Sequence, residues 1–463
     1  MRRMLSLVAV LIMVLSPMLV LGSPKKVELP TYRAHTLENG LKVFIMETRE
    51  VPLVTVRLLI PVGSAQDDRG HEGIANLTAT LTMKGGGGMT ADEIAEAIDG
   101  MGGRLNANAD RDMTLVEGSF MARDLSRALD MMSTVVMKPD FAPEEVEREK
   151  GIVTAELQSY KEEPYWLATI EFVNALVGDH PYAHHIEGTI ESVAEITRDD
   201  IVTFHREHYV PSGSILAIVG DVNAKKALKD VKSKFARWKG AAKSREVEPL
   251  EMKAFPGTKV VVIDKSDATQ SQIRIGNIAV GRNTPDYFPL LVANTILGGG
   301  FTSRLVDEIR VNRGLTYGVR SRLNQLRHGG MFGVYTFTKN ETLRETIDVA
   351  LAELGKIRSE EVGDDELTKS KRYLSGLFPF DLETNDDLAR WLTELTFYGL
   401  TDDFVENYRD EVGKVSSANV KRCAEKYFHT EDCFILLLTN YEEVKDQLEG
   451  LGTIEVIGID DVY

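Results

Sequence analysis

The chain repeats its own pattern, and this internal repeat constrains the fold more than any other feature of the sequence. Three pairs of short motifs recur 218 positions apart: Val62-Gly63 with Val280-Gly281, Ala75-Asn76 with Ala293-Asn294, and Tyr209 with Tyr427. Each tyrosine precedes a hydrophobic strand-like run, at 215–219 in the first half and at 434–438 in the second. Because a duplicated domain explains this order better than chance does, we predict two similar halves.

Strand-like and helix-like segments alternate along the chain, which is typical of a mixed fold. In the first half, strand-like runs lie at 41–46, 54–62 and 115–121, and helical patterns lie at 143–160 and 165–177 and begin near Gly73, Thr90, Asp124 and Arg198. Residues 239–258 are rich in Lys, Glu, Ala and Pro without apolar periodicity, and the same order of elements starts again behind them. The sequence therefore predicts an α+β fold with a lobe at 30–238, a linker at 239–258, a second lobe at 259–455 and a cleft between the lobes.

The size and charge of the chain limit its partners. Its 463 residues, with 43% hydrophobic content, are enough for two large cores. The formal net charge of −17 at pH 7 argues against nucleic acid as a partner. A field of this sign attracts basic peptides, but a charge that serves only solubility explains the composition equally well.

The N-terminus has the pattern of a secretory signal peptide. Arg2 and Arg3 precede an apolar stretch from Met4 to Leu21, and the residues around Gly22 suit cleavage after it. An uncleaved membrane anchor is the alternative, although the stretch is near the lower length limit for a span. We therefore expect residues 1–22 to be a signal peptide and the protein to be periplasmic or secreted, with membrane contact only if the leader is uncleaved.

The chain has two cysteines, Cys423 and Cys433, which are too few for a disulfide scaffold. They can pair in an oxidising compartment, but their spacing does not decide whether they do.

Short motifs along nearly the whole mature chain resemble those of one family. They are Gly73-Ile74-Ala75, Lys84-Gly85, Gly102-Gly103 with Asn106, Glu147-Arg148-Glu149-Lys150, His180-Pro181-Tyr182, Tyr209-Val210-Pro211 and Val219-Gly220-Asp221. This set resembles the pitrilysin and mitochondrial-processing-peptidase family, metallopeptidase family sixteen, whose members carry an inverted zinc motif, H-x-x-E-H, on a helix. The resemblance implies two homologous lobes that enclose a cleft, each a mostly antiparallel sheet with helices packed on one side.

The zinc motif itself is missing from this chain. Where family members read Gly-Leu-Ala-His-x-x-Glu-His, the motif residues are replaced by Asn76, Ala79 and Thr80. These positions share one helix face, on which two imidazoles would hold zinc beside a carboxylate base. Asparagine and threonine are poor zinc ligands, and alanine has no group that takes a proton from water. We therefore predict no metal and no cofactor in this chain.

Two carboxylates of the family pattern remain. Glu156 aligns with the third zinc ligand of the family, and Glu149 aligns with the acid seven positions before it. Because one carboxylate makes at most a weak zinc site, we interpret Glu156 as a helix residue inherited from an active ancestor.

A displaced metal site would restore catalysis, so the other histidines are candidates. They occur as His71-Glu72, His180, His184-His185-x-Glu187 and His205-x-Glu207-His208. None forms a zinc-peptidase motif, and His71 lacks a second imidazole nearby in sequence. Surface or capping histidines are the better interpretation.

The second lobe keeps a family signature for substrate contact. Leu297-Gly298-Gly299-Gly300 leads into Ser303-Arg304-Leu305, then into Glu308-Ile309-Arg310 and Arg313-Gly314-Leu315-Thr316-Tyr317. The resemblance implies that Arg310 and Tyr317 face the zinc across the cleft and hold the peptide and the developing oxyanion. A helix that carries Arg310 and stops at Gly314 would bring Tyr317 to the same edge. The alternative is an ordinary ion pair for Arg310 and core packing for Tyr317.

The family includes pairs in which one subunit carries H-x-x-E-H and the other lacks it, and this chain resembles the second kind. We therefore predict a non-catalytic subunit that is inactive alone. Its expected partners are a homologous H-x-x-E-H peptidase subunit, in which zinc is expected, and peptide substrates that add a strand to a sheet edge in the cleft. Two alternatives remain, a stand-alone peptide-binding or scaffold protein and an active zinc endopeptidase with a displaced metal site.

Overall fold

The computed structural model describes residues 28–241, 243, 245–252 and 255–462. The predicted signal peptide at 1–22 lies outside the described residues. In the part of the chain that is described, no helix has both the length and the apolar character needed to cross a membrane.

The first half begins with strands and continues into helices. Its strands are β1 (Tyr32–Thr36), β2 (Lys42–Glu47), β3 (Leu53–Ile60), β4 (Gly85–Gly86), β5 (Met89–Thr90), β6 (Arg104–Ala109), β7 (Thr114–Met121) and β8 (Ile215–Gly220). Its helices are α1 (Ile74–Leu81), α2 (Ala91–Asp99), α3 (Leu125–Met137), α4 (Pro143–Glu162), α5 (Pro164–Val177), α6 (Ile190–Glu195), α7 (Arg198–His208) and α8 (Ala224–Phe235). Local signals place several helix starts, since Thr90 caps α2 reciprocally with Glu93, and proline opens α4 and α5.

The second half follows the same course. Its strands are β9 (Lys259–Asp264), β10 (Gln270–Ala279), β11 (Val319–Gln325), β12 (Gly330–Lys339), β13 (Phe434–Thr439) and β14 (Thr453–Gly458). Its α-helices are α9 (Tyr287–Asn294), α10 (Leu343–Ser359), α11 (Asp364–Leu377), α12 (Asn385–Tyr398), α13 (Asp403–Glu406), α14 (Tyr408–Lys414), α15 (Ser417–Tyr427) and α16 (Tyr441–Val444). Two π-helical segments, Thr295–Gly299 and Val306–Asn312, lie between α9 and β11.

Five of the six strands in each sheet follow one order, which confirms the predicted duplication of the fold, whereas the sixth strand is β1, the first of the chain, in one sheet and β14, the last, in the other. The first sheet runs β1-β2-β8-β3-β7-β6, and the second, read from its other edge, runs β14-β9-β13-β10-β12-β11. In each sheet one central pair is parallel, β2 with β8 and β9 with β13. Most of the other pairs are antiparallel, and only β14 adds a further parallel pair. The predicted α+β class with mostly antiparallel sheets is confirmed.

The central strands are buried on both faces, which explains their continuous hydrophobic runs. Alternate residues of β8 enter different cores, since Leu216 and Ile218 pack with the helices of the first half, whereas Ala217 and Val219 pack with Leu388 and its neighbours on α12. In β13 the alternation repeats, with Leu436 and Leu438 packed against α5. Each sheet therefore has its own helices on one face and a single helix from the opposite half on the other.

Helices α5 and α12 each cover the sheet of the opposite half, and we call them the exchanged helices. A buried arginine joins each exchanged helix to the sheet that it covers. Arg57 on β3 donates from Nε to the Thr393 hydroxyl of α12 over 3.2 Å, and it forms an ion pair with Glu117. Arg274 on β10 donates from Nε to the Thr169 hydroxyl of α5, also over 3.2 Å. The two halves are thus locked together by equivalent contacts at equivalent strands. The exchange was not apparent from the sequence. Helix α5 belongs to the first half of the chain and α12 to the second, and nothing in their local sequence shows that each packs on the opposite sheet.

The connection between the halves has no regular element in its described residues between Phe235 and Lys259. The exact domain boundaries at 238 and 258 stay predictions.

Both cysteines are free and buried. Burial raises the pKa of the Cys423 thiol to about 12 and that of the Cys433 thiol to about 11, so both are protonated at neutral pH.

We expect Arg274→Met to lower the free energy of unfolding by about 3 kcal/mol, because it leaves several buried carbonyl oxygens without a donor. Urea denaturation followed by circular dichroism measures the loss. Arg49→Met is the control, since the side chain of Arg49 is 70% exposed. Equal stability of the two variants would contradict the role given to Arg274.

Candidate functional site

Helix α1 carries the three substituted motif positions, and its start is fixed by a buried carboxylate. Asp67 accepts the backbone N–H of Gly73 over 2.8 Å and that of Ala75 over 3.2 Å. Burial raises the pKa of Asp67 well above its usual range. Gly73 has a φ of +99°, and a Cβ there would lie 2.4 Å from the carbonyl oxygen of Glu187. The helix start is therefore held against the loop that contains Glu187.

The helix face that binds zinc in the family is present on α1, but its side chains cannot bind zinc or accept a proton from water. Ala79 is fully buried, and Asn76 and Thr80 are half-buried on the same helix. Leu77 and Leu81 anchor the opposite side of α1 in the first core. Helix α1 packs against α4, which carries both retained carboxylates. The scaffold of the family site is kept while its imidazoles and its catalytic carboxylate are absent.

The retained carboxylates lie in an acidic group beside α1. Glu149 is 5% exposed, and its Oε2 lies 3.5 Å from the ammonium of Lys84. Glu156 is an exposed residue, yet partial desolvation and the charges of Glu187 and Glu149 raise its pKa. Glu187 itself forms an ion pair with His185, with 2.7 Å between Oε2 and Nδ1. Sequence reasoning named these residues singly, and the structure brings the three glutamates close enough to influence one another.

The side chains present do not fit zinc. Within the described ranges, no cluster of three or more His, Cys, Asp or Glu side chains could hold a metal ion. Asn76, Ala79 and Thr80 supply no imidazole, thiolate or carboxylate, and zinc requires several such donors. The side chains of α1 therefore cannot hold the zinc ion that family members use for hydrolysis.

The histidines considered for a displaced site serve local structure instead. Ring nitrogens lie near backbone oxygens in three of them: His180 Nε2 at 2.9 Å from Glu248 O, His184 Nε2 at 3.0 Å from Ser64 O, and His205 Nε2 at 2.8 Å from Val136 O. The Nε2 atom of His71 lies 3.9 Å from the Oδ2 atom of Asp200, which is near the upper distance limit for an ion pair. These contacts favour the interpretation of capping and packing histidines.

Arg310 and Tyr317 are presented to solvent on the second half. Arg310 lies in the π-helical segment Val306–Asn312, where an α-helix was expected, and this turn ends before Gly314 at a φ of +63°. π-helical turns often occur at functional sites. The guanidinium of Arg310 lies 5.4 Å from the ring of Phe301, and Tyr317 is 87% exposed. The alternative of core packing for Tyr317 is wrong.

The loop that carries Tyr317 is held on both sides by threonines of β12. Thr338 donates its hydroxyl to the carbonyl oxygen of Leu315 over 2.8 Å, and Thr336 donates to that of Gly318 over 3.0 Å. The backbone on either side of Tyr317 is thus fixed although its ring is exposed. In the described part of the chain, no carboxylate lies within ion-pair distance of Arg310, and no hydrogen bond joins Arg310 or Tyr317 to α1 or α4.

A cavity of about 670 Å³ lies between the two halves, where the sequence predicts a cleft, but sequence reasoning did not identify the residues that line it. Trp166, Ala183 and His185 line it from the first half, and Arg320 and Arg322 line it from the second. Its second-half wall includes Gly298, where a Cβ would lie 2.5 Å from the backbone nitrogen of Ser321. The alternation of arginines in the strand Val319–Gln325 is the sequence signal that could have revealed this wall.

Comparison with known proteins agrees with this geometry. A family model described as "Insulinase (Peptidase family M16)" matches residues 42–190, and one described as "Peptidase M16 inactive domain" matches residues 195–374. An uncharacterized zinc protease of Mycobacterium leprae is 30% identical over 362 residues, which are 78% of this chain and 80% of that protein.

Two solved structures have the same fold. The peptidase M16 inactive domain from Pseudomonas fluorescens matches with a TM-score of 0.83 and 26% identity, over 88% of this chain and 97% of that chain. A protease from Helicobacter pylori matches with a TM-score of 0.81 and 23% identity, over 89% of this chain and all (100%) of that chain. Two homologous lobes around an inter-lobe cavity thus define a protein of the two-lobed metallopeptidase class. The chain belongs to peptidase family M16, which confirms the resemblance inferred from its motifs.

We predict that two substitutions restore zinc binding on α1. The wild-type chain should retain no stoichiometric zinc after dialysis, whereas Asn76→His combined with Thr80→His should bind about one zinc per chain with Glu156 as third ligand. Metal analysis by plasma mass spectrometry measures the difference. Adding Glu156→Gln to the double variant should remove the metal. Tightly bound zinc in the wild type would contradict the assignment of these positions.

The raised pKa of Glu156 predicts the sign of a stability change. Its ionised form is disfavoured in the folded chain, so the destabilisation is present above the folded pKa and disappears below the unfolded value of about 4.3. We expect Glu156→Gln to raise the Tm at neutral pH and to have little effect well below that value. Glu147→Gln is the control, because Glu147 is likewise exposed and lies on the same helix, and the charges of Glu149 and Glu187 act on Glu156. A lower Tm at neutral pH for Glu156→Gln would contradict the predicted sign.

Proposed function

We propose that this chain is a zinc-less, non-catalytic subunit of an M16 peptidase. It pairs with a homologous subunit that carries H-x-x-E-H and supplies the hydrolytic chemistry. Its own part is to bind extended peptide and to complete the shared site through Arg310 and Tyr317. The observation that carries the proposal is the contrast between the two halves, since the motif helix has lost every catalytic donor while the Arg/Tyr pair is kept and exposed.

The exposure of the Arg/Tyr pair supports a role outside the chain. A tyrosine that is 87% exposed contributes little to folding, yet the two threonines of β12 hold its backbone in place. Among the described residues, the Arg310 guanidinium lies beside the exposed ring of Phe301 and has no carboxylate within ion-pair distance, so its charge is available to a ligand. A guanidinium and a phenol are both donors, and together they can stabilise a carbonyl oxygen that becomes negative.

A sheet edge beside α1 supports peptide binding by strand addition. Strand β6 pairs with β7 on one side, and no further strand pairs with its other side in the described residues. Its residues alternate between buried and exposed, as Leu105 and Ala107 enter the core and Asn106 and Asn108 face outward. A peptide on this edge gains main-chain hydrogen bonds with little dependence on its sequence.

The proposed cellular site is the periplasm or the extracellular space, which rests on the leader pattern at 1–22. The stand-alone peptide-binding or scaffold function is the competing proposal. It predicts that no H-x-x-E-H subunit copurifies with the chain, and that the Arg/Tyr pair is dispensable.

In the presence of an H-x-x-E-H subunit from the same source, we expect Arg310→Ala or Tyr317→Phe to lower kcat for a quenched peptide by roughly 10²-fold to 10³-fold, because each removes a donor to the developing oxyanion. Stopped-time cleavage assays of the purified pair measure kcat. Circular dichroism should show unchanged folding, since both side chains are exposed.

Arg313→Ala is the matched control, because Arg313 lies on the same turn but pairs with Glu345 over 3.2 Å. It should leave kcat within about twofold of the wild type. If Arg310→Ala and Arg313→Ala behave alike, the Arg/Tyr pair does not complete the partner's site.

A further inference from the structure

The charged side chains that line the cavity between the halves are all basic. The basic side chains that line it are His185 and three arginines, Arg111, Arg320 and Arg322, and no aspartate or glutamate lines it. In the described part of the chain, none of these arginines has a carboxylate within ion-pair distance, although the charges of Asp110, Glu187 and Asp112 act on Arg111. The net charge of −17 makes such a group unexpected, because acidic side chains outnumber basic ones on this protein.

Two of the arginines are held in place on a strand at the edge of the second sheet. Arg320 and Arg322 are two residues apart on β11, so they project from the same face of the strand. Arg320 donates to the phenol oxygen of Tyr165, and its guanidinium lies 5.4 Å from the centre of that ring. The Arg322 guanidinium lies 5.9 Å from the ring of Tyr335. Aromatic contacts orient both groups without neutralising their charge.

A further positive charge, that of Arg274, lies behind the wall formed by Arg320 and Arg322. Arg274 is fully buried between the rings of Tyr165 and Tyr335, at 4.8 Å and 5.4 Å from their centres. It donates to backbone and side-chain oxygens, and none of these is a carboxylate oxygen. Burial lowers the pKa of Arg274 to about 10, so it stays protonated at neutral pH. A buried charge without a counter-ion makes the potential in the neighbouring cavity more positive.

The cavity adjoins the acidic group beside α1. His185 lines the cavity and forms the ion pair with Glu187, whose charge in turn acts on Glu156. The cleft therefore has an acidic end at the degenerate motif and a basic end along β11. A peptide that reaches from one end to the other meets opposite charges at its two ends.

We propose that this cavity binds a carboxylate of the peptide held in the cleft, either an aspartate or glutamate side chain or the C-terminal carboxylate. The proposal rests on the peptide-binding function proposed above and gives it a preference for acidic peptides. Arg320 and Arg322 supply planar donors that suit a carboxylate, and Arg111 lines the same cavity from the first half. The local charge thus selects against the basic peptides that the net charge of the chain would attract.

Fluorescence of Trp166 tests the proposal on the isolated chain. Trp166 lines the cavity and is 50% exposed, whereas the other two tryptophans, Trp238 and Trp391, are buried. Three short peptides that differ only in their carboxylates are titrated: one with a single glutamate and an amidated C-terminus, one with glutamine and an amidated C-terminus, and one with glutamine and a free C-terminus. We expect one of the two carboxylate peptides to bind roughly tenfold more tightly than the neutral peptide.

The variant Arg322→Gln identifies the wall that recognises the charge. Arg322 is exposed, so the substitution should not disturb folding, and it should remove roughly tenfold of the affinity for the preferred peptide while leaving the neutral peptide unchanged. Arg123→Gln is the control, because it makes the same change of charge at a side chain that is 79% exposed. Arg123→Gln should leave all three affinities as in the wild type.

Equal binding of the three peptides to the wild-type chain would overturn the proposal, as would absence of binding by all three. Equal losses for charged and neutral peptides in Arg322→Gln would also overturn it. The titration needs no partner subunit, so its outcome is independent of whether Arg310 and Tyr317 complete a partner's site. A preference for acidic peptides without cleavage by any pair would retain the carboxylate site and reject the catalytic partnership.

Discussion

The exchange of one helix between the two halves is the constraint on which the rest of the structure depends. Helix α5 covers the second sheet and α12 covers the first, so the central strands β8 and β13 are buried on both faces. Arg57 and Arg274 fasten the exchanged helices through threonine hydroxyls. The same contacts shape the cleft, because α5 also carries Trp166 to the wall of the cavity. The architecture that binds the halves together thus also positions the surfaces proposed to meet a peptide.

Much of the fold could be predicted from sequence, because its signals are local. The run Ile215 to Val219 is hydrophobic throughout, and Pro143 begins a long periodic segment, so each was recognised in place. The helix exchange could not be predicted in this way, since it depends on contacts between residues as distant as Arg57 and Thr393. The π-helical turn under Arg310 was likewise missed, because its periodicity over seven residues resembles that of an α-helix.

The candidate site shows the same division between local and distant information. The loss of imidazole and carboxylate at Asn76, Ala79 and Thr80 is visible in the sequence and needs no coordinates. The acidic group formed by Glu149, Glu156 and Glu187 and the basic wall of β11 come from separate segments that only the fold brings together. The charge of the whole chain was a poor guide, because the potential inside a cleft depends on a few nearby side chains.

The central claim is that this chain has the scaffold of an M16 peptidase without its own hydrolytic centre. The most direct test measures cleavage of a quenched peptide by the chain alone, by an H-x-x-E-H subunit alone and by the two mixed. The metal content of each preparation is measured as well. The account predicts no cleavage and no stoichiometric zinc for the chain alone, and more cleavage by the mixture than by the H-x-x-E-H subunit alone. Chelator-sensitive cleavage by the isolated chain, together with tightly bound zinc, would contradict it.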